Sequence, residues 1–354
     1  MQSWQIFLEQ QGAVGFDAST GTVGGFSGSE STMASPSTDF MVPLCDTSLI
    51  VASGIDAASF LHNQLTNDVE HIGQDQARLA GYCTPKGRLL ATLLVWRSGD
   101  QIFLHLPRAL QPGIRKRLQM FILRAKVVLA DADAQSTQLG LAGPAVAAAL
   151  RQWFSAVPTL PYTLVHNDAG TLIRLADTDD GMARYLWISD VATLTKAWPH
   201  LALTLHPSGT DAWRLGRIRA GIALITPATQ EKFVPQMVNF ELVGGVSFKK
   251  GCYPGQEIVA RSHYLGKPKR RMVQATVDAV DVAAGTEVFA SDDPEQACGM
   301  IVEAATTDMN SSLCLVEIKL TALETSVHLG HVHGPRLAFA PASIPVTTDD
   351  DLTA

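Results

Sequence analysis

Eight consecutive residues, Lys250 to Glu257 (Lys-Gly-Cys-Tyr-Pro-Gly-Gln-Glu), set one cysteine between a pair of lysines and the expected start of a helix. Such surroundings turn a thiol into a thiolate. Lys249 and Lys250 supply positive charge, and the unpaired N–H groups of a helix beginning near Pro254 add a favourable dipole; both lower a cysteine pKa. The helix formers Gln256 to Arg261, with Pro254 in the first turn, predict that helix. Cys252 therefore reads as a functional thiol activated by Lys250. The same residue also reads as a small core side chain beside a tight glycine turn, since free cysteine is commonly buried.

The eight residues end a longer run, Pro235-Gln-Met-Val-Asn-Phe-Glu-Leu-Val-Gly-Gly-Val-Ser-Phe-Lys-Lys-Gly-Cys-Tyr-Pro-Gly-Gln-Glu-Ile-Val-Ala-Arg261. Three further segments accompany it in order: Phe60-Leu-His-Asn-Gln-Leu-Thr-Asn-Asp-Val69, Cys83-Thr-Pro-Lys-Gly-Arg88, and Trp213-Arg-Leu-Gly-Arg-Ile-Arg-Ala-Gly-Ile222. Together they resemble the YgfZ-type folate-binding proteins, relatives of the glycine cleavage T-protein, an aminomethyltransferase. The resemblance runs from about Pro43 to about Pro335.

The resemblance implies an α+β fold in which two interleaved mixed sheet domains and a C-terminal antiparallel β-barrel surround a central hole. It implies tetrahydrofolate, or a derivative, as the cofactor. Its folate site would include Trp213, Gln236 and Asn239, with Tyr253, Gln256 and Glu257 from the cysteine motif. A pterin needs a flat apolar slot and a few hydrogen-bonding groups, which these residue types can provide. Glu257 is equally a first-turn carboxylate that stabilises a helix N-terminus, and Trp213 equally a core aromatic. The implied role is that of an accessory factor in assembly or repair of iron–sulfur clusters in client enzymes such as tRNA methylthiotransferases.

The chain departs from the T-protein at two places. There, an aspartate beside the central hairpin is needed for one-carbon transfer; here no acidic residue occurs from Gln76 to Gly99. Aminomethyl transfer, the alternative function, lacks its electrostatic partner for developing charge. A second tryptophan is expected near Thr47 to Leu49, and none is present.

Other groups point less sharply. The basic run Arg261, Lys267, Lys269, Arg270 and Arg271 can meet the glutamate tail of folate, an acidic partner or tRNA phosphates, or be solvated surface in a linker. Arg115-Lys116-Arg117 reads as the outer face of a helix. No Gly-x-Ser-x-Gly elbow supports serine hydrolysis, and a cysteine hydrolase would need a histidine beside Cys252, His263 being the one nearby in sequence. His328, His331 and His333 do not share one strand face, which disfavours a metal site.

Bulk properties bound the class. The 354 residues carry a net charge of −7, with 46% hydrophobic and 17% charged residues. That suits two or three domains and argues against general nucleic-acid coating. Nothing reaches the ~20 continuous apolar residues of a membrane span. The first lysine or arginine is Arg78, so neither a secretory nor a mitochondrial leader is expected and the cytoplasm is the expected compartment. Five scattered cysteines without a Cys-x-x-Cys pair suggest reduced thiols and no permanently bound metal.

The organising elements follow from periodicity. Gly12 to Thr38 is Gly/Ser/Thr-rich and reads as part of a flexible N-terminal extension covering residues 1–40. Residues 41–131 with 209–266 form the expected folate-binding domain. They hold a strand Ser48–Ser53, a helix Ala57–Leu65, a hairpin turning at Pro85-Lys86-Gly87, a strand Ile102–Leu106, a helix Pro112–Leu123 and a strand Lys126–Ala130. The segment Trp213–Phe248 is expected to return to this domain as a strand. Residues 132–208 read as a second α+β unit, 267–345 as a barrel of alternating strands, and 346–354 as an acidic tail.

Overall fold

The computed structural model describes residues 2–27, 38–133, 136–264, 266, 268–307 and 310–340. Its first sheet has five antiparallel strands in the order Ala77–Cys83, Leu89–Ser98, Gln101–Pro107, Thr47–Ser53 and Val128–Asp131. Leu89 to Trp96 is buried at every position, which fits a strand covered on both faces and explains its unbroken apolar run. Helices α1 (Gln2–Gln10), α2 (Ala57–His62) and α3 (Gln111–Met120) precede and flank this sheet in sequence. On α3, Ile114 and Leu118 turn inward four residues apart.

The second sheet has six strands in the order Leu164–Asn167, Gly170–Arg174, Arg184–Ser189, Thr137–Ala142, Phe40–Pro43 and His206–Pro207. Helices α4 (Val146–Leu150) and α5 (Val191–Leu201) belong to this unit. Asp190 caps α5, its carboxylate accepting from the Thr193 N–H at 2.8 Å. The strand Phe40–Pro43, expected in the first unit, pairs instead with Thr137–Ala142, so the chain changes sheets within the four residues before Thr47.

The described part of the N-terminal stretch is packed, which corrects the reading of a flexible extension. Trp4, Leu8, Val23 and Phe26 are buried in the core of the second sheet. The rings of Trp4 and Phe26 lie 5.9 and 5.5 Å from that of Trp198 on α5. Composition misled because four widely spaced large side chains are enough to anchor a glycine-rich segment. Residues 28–37 and the acidic tail within 341–354 lie outside the described residues.

Thr210–Arg219 is a helix, α6, which corrects the strand expected around Trp213. Asp211 in its first turn and Arg217 and Arg219 in its last suit the helix dipole. The Val23 N–H donates to Thr210 Oγ1 at 2.9 Å, and the Thr210 N–H donates back to the Val23 carbonyl at 2.8 Å. The chain then returns to the first sheet without a regular strand: Glu231 N–H donates to the Leu89 carbonyl and Leu89 N–H to that of Phe233, both at 2.8 Å. Helix α7 (Gln256–Tyr264) leads to the barrel.

The barrel strands run Val327–Leu329, Glu287–Ala290, Asp293–Thr306, Ser312–Lys319, Arg270–Val277 and Leu337–Phe339. A bridge between His328 and Arg336 nearly closes the ring, with His328 Nδ1 bonded to the Gly334 carbonyl at 2.9 Å. The resulting architecture is the α+β arrangement of two interleaved sheets and a terminal barrel. Among the described residues, no helix is long and apolar enough to cross a membrane.

Replacing Trp4 by alanine should cost about 3–5 kcal/mol if the N-terminal stretch is integral to the second core. Urea unfolding followed by fluorescence measures this, and a loss below about 0.5 kcal/mol, the surface-substitution range, would restore the view that the extension is dispensable.

Candidate functional site

Two of the sequence motifs meet. Gly255 adopts φ +83°, and a Cβ there would lie 2.4 Å from the Thr84 carbonyl and 2.6 Å from Gly87 Cα. Gly87, at φ +71°, faces Ile258 and the Gly255 carbonyl in turn. The hairpin turn therefore seats on the N-terminal end of α7, and only glycine fits the contact. The helix starts at Gln256, so Pro254 lies in the preceding turn rather than in the first helical turn as expected. Cys252 is exposed just ahead of that turn. Glu257 is exposed and Gln256 half-buried on the first turn, and the Gln256 N–H bonds the Tyr253 carbonyl at 3.2 Å.

Lys250 is committed to structure as well as charge. Its Nζ donates to the His62 carbonyl at 2.7 Å and the Leu65 carbonyl at 3.2 Å, groups left open where α2 ends. It also lies 4.7 Å from the centre of the buried Tyr253 ring. Burial pulls the Lys250 ammonium down to about 8, against the opposing pull of Asp68, Cys252 and Glu70. His62, 190 positions before Cys252, is held through Nδ1 by Asp68 at 3.1 Å, and its Nε2 lies 3.8 Å from where a Gly251 Cβ would stand. His263 by contrast stacks on Phe248 at 3.8 Å. Linear proximity pointed to His263, whereas the fold brings His62 to the motif.

Trp213 is buried in α6 and lines a cavity between the two sheets with about 610 Å³ of empty space, its open mouth included. Gly140 makes room for the indole, since a Cβ there would come within 2.7 Å of the ring. The Arg184 guanidinium lies 4.5 Å from the ring centre. His105 and Tyr162 complete the polar lining with Thr92 and Arg217. Burial and nearby Arg217 hold the His105 imidazole down to about 4, so it is neutral at pH 7. Where a second tryptophan was expected, Thr47 Oγ1 donates to Gln138 Oε1 at 2.9 Å, and Gln138 bonds His105. Sequence reasoning missed Arg184, His105 and Tyr162, which sit in ordinary strands and a loop with no local motif.

Gln236 and Asn239 do not join Trp213 in this cavity, which corrects their expected placement. Gln236 Nε2 donates to the Val259 carbonyl at 2.7 Å, holding α7. Asn239 takes a left-handed φ of 55° and donates through Nδ2 to the Met272 carbonyl at 2.7 Å, holding the barrel. Of the basic run, Arg270 pairs with Glu317 at 2.9 Å and Arg271 with Glu241, while Lys267 lies outside the described residues. No group of three or more His, Cys, Asp or Glu suited to a metal ion occurs among the described residues.

No protein-family model matches the chain. Over 232 residues it is 32% identical to the tRNA-modifying protein YgfZ of Enterobacter sp. (strain 638), an overlap of 66% of this chain and 70% of that protein. In three dimensions it is similar to the glycine cleavage system aminomethyltransferase T from Bartonella henselae, with a TM-score of 0.77 at 15% identity. That match covers 97% of this chain and 96% of the other. At such identity it describes the fold.

Gly255→Ala should destabilise the protein by about 2 kcal/mol or more, combining left-handed strain with the clash against Thr84. Gly99→Ala, at φ +58° in open space, carries the strain alone and should cost about 1 kcal/mol. Equal losses in urea titrations would refute the close seat of turn on helix. For His105, the folded pKa lies below the unfolded value, so the unfolded chain takes up the proton first. Stability should fall as pH drops from 6.5 toward 4, by on the order of 2–3 kcal/mol. His105→Gln should flatten that slope in thermal unfolding measured across the window.

Proposed function

The chain belongs to the family of the tRNA-modifying protein YgfZ, and from that premise we propose that it is a tetrahydrofolate-binding accessory protein with Cys252 as its working thiol. Its clients are iron–sulfur enzymes, including those that methylthiolate tRNA. The observation that carries this reading is the contrast among the five cysteines. Cys252 alone is exposed; Cys83, Cys298 and Cys314 are buried and Cys45 is half-buried. Burial pushes the thiols of Cys45, Cys83 and Cys314 up to about 12 and raises that of Cys298, so all four stay protonated at neutral pH. One thiol is left for chemistry.

In this reading Lys250 holds the motif against the end of α2 and keeps a positive charge beside the sulfur. The Cys252 thiolate serves as a transient ligand for iron or sulfur, with the remaining ligands supplied by the client, since one thiolate cannot hold a cluster by itself. The cavity at Trp213 takes the folate ring, its wall being mostly apolar with a few polar groups, as small-ligand sites are. Tyr253, Gln256 and Glu257 sit with the thiol rather than along the walls of that cavity, so their part in folate binding is at its periphery. Aminomethyl transfer is less well supported, because no carboxylate lines the cavity among the described residues.

The test is complementation of a strain lacking the protein, read as the fraction of tRNA carrying its methylthio group. Wild type should restore the modification and Cys252→Ala, at equal soluble level, should not. Equal restoration by both would make Cys252 a structural residue, and restoration by neither would end the accessory-factor reading for this chain.

A further inference from the structure

The cavity holds a cation, Arg184, that has no ion pair of its own among the described residues. Arg184 stands on the second sheet, 3% exposed, and its Nε is buried without a hydrogen-bond partner. The nearby carboxylate, Glu303, is engaged by Arg217, whose Nε donates to Oε2 at 3.0 Å and to Oε1 at 3.2 Å. Burial and the like charge of Arg217 pull the Arg184 guanidinium down to about 9, which still leaves it charged at pH 7.

Two further polar groups line the same cavity. His105 Nε2, on the first sheet, is buried and unpartnered. Tyr162 carries a φ of 61°, a conformation a bulky L-residue adopts only when its surroundings enforce it. Burial raises its phenol to about 12, so it is neutral. A buried polar atom without a partner costs about 1–3 kcal/mol, so leaving two on one cavity suggests that a ligand completes them. The rest of the wall is apolar, including Leu79, Leu93, Leu186 and Ala223.

We propose that Arg184 is the ligand-reading residue of this cavity and that it takes the oxo, acceptor-rich edge of a pterin-type ring, with His105 Nε2 and the Tyr162 hydroxyl beside it. This rests on the folate reading above. A ring oxygen and an anionic tail both offer acceptors. The ring is favoured because a glutamate tail would bring two full charges into an apolar pocket where, among the described residues, Arg184 is the cation without an ion pair, leaving at least one charge desolvated and unpaired. A second consequence separates this site from one that reads a pterin through a carboxylate. With no carboxylate on the wall among the described residues, the exocyclic amine of the ring has no charged acceptor waiting, so lumazine, in which oxygen replaces that amine, should fit as well as pterin.

The experiment is calorimetric titration of the full chain with tetrahydrofolate, pterin, lumazine and p-aminobenzoylglutamate, for wild type, Arg184→Met and Arg184→Lys. Arg184→Met should weaken tetrahydrofolate and pterin by about tenfold or more, the range for a lost hydrogen bond to a charged group, and Arg184→Lys by less. Lumazine and pterin should bind wild type within about threefold, since no group distinguishes them. Should Arg184→Met fail to fold, the lysine variant and the pterin-to-lumazine ratio in wild type still decide. Wild-type affinity of Arg184→Met for tetrahydrofolate would overturn the assignment and leave folate binding intact. Tighter pterin than lumazine by tenfold would overturn it too, as would Arg184-dependence confined to p-aminobenzoylglutamate. If tetrahydrofolate does not bind but lumazine does, through Arg184, the residue assignment stands and the folate reading falls.

Discussion

The buried pair Arg217–Glu303 joins helix α6 to the barrel, and much of the arrangement depends on it. Burial works against the charge on Arg217, and Glu303 with Asp46 more than offsets that, so the guanidinium is held above its usual range. Removing one partner of such a pair leaves a desolvated charge and costs about 3–5 kcal/mol, whereas replacing both by apolar groups can be neutral. The pair is thus better understood as a device of specificity than of stability. It sets where α6 lies, and α6 in turn presents Trp213 to the cavity one turn away. It also occupies Glu303, which leaves Arg184 without a counter-ion among the described residues.

The field around this pair reaches further. Asp46 is half-buried, and desolvation raises its carboxyl against the pull of Arg217 and Arg214. Three arginines and two carboxylates therefore share a dry region where the two sheets and the barrel converge. Arg217 pairs with Glu303 and Arg214 with Asp46 at 3.6 Å, so both carboxylates are taken. At the other pole of the molecule the constraint is steric. Gly255 and Gly87 allow two backbones to touch, and Lys250 ties the same motif to the open carbonyls of α2. The cysteine is held at a junction of three segments, which gives an exposed side chain a defined position.

Local readings survived where local physics decides. The hairpin turning at Pro85 to Gly87 and the alternating barrel strands were legible, because their signals lie within a few residues. The N-terminal stretch misread because glycine and serine content said nothing of Trp4 and Phe26 finding Trp198 on a distant helix. Thr210 to Arg219 misread because a resemblance carries residues and not conformations, although its charges already suited a helix. Gln236 and Asn239 fell away from Trp213 because an amide in a motif looks the same whichever backbone carbonyl it is to hold.

By itself the chain determined many of its local elements, the cysteine motif and its family, since neighbours along the backbone specify turns and the surroundings of one thiol. Tertiary structure alone decided the cavity. His105, Tyr162, Arg184 and Trp213 come from a strand, a loop, another strand and a helix. Their protonation and their lack of partners arise from burial and from who else is near, as with Arg217 reaching a carboxylate 86 positions away. Desolvation and charge pairing depend on distance in space, and no spacing along a sequence encodes that.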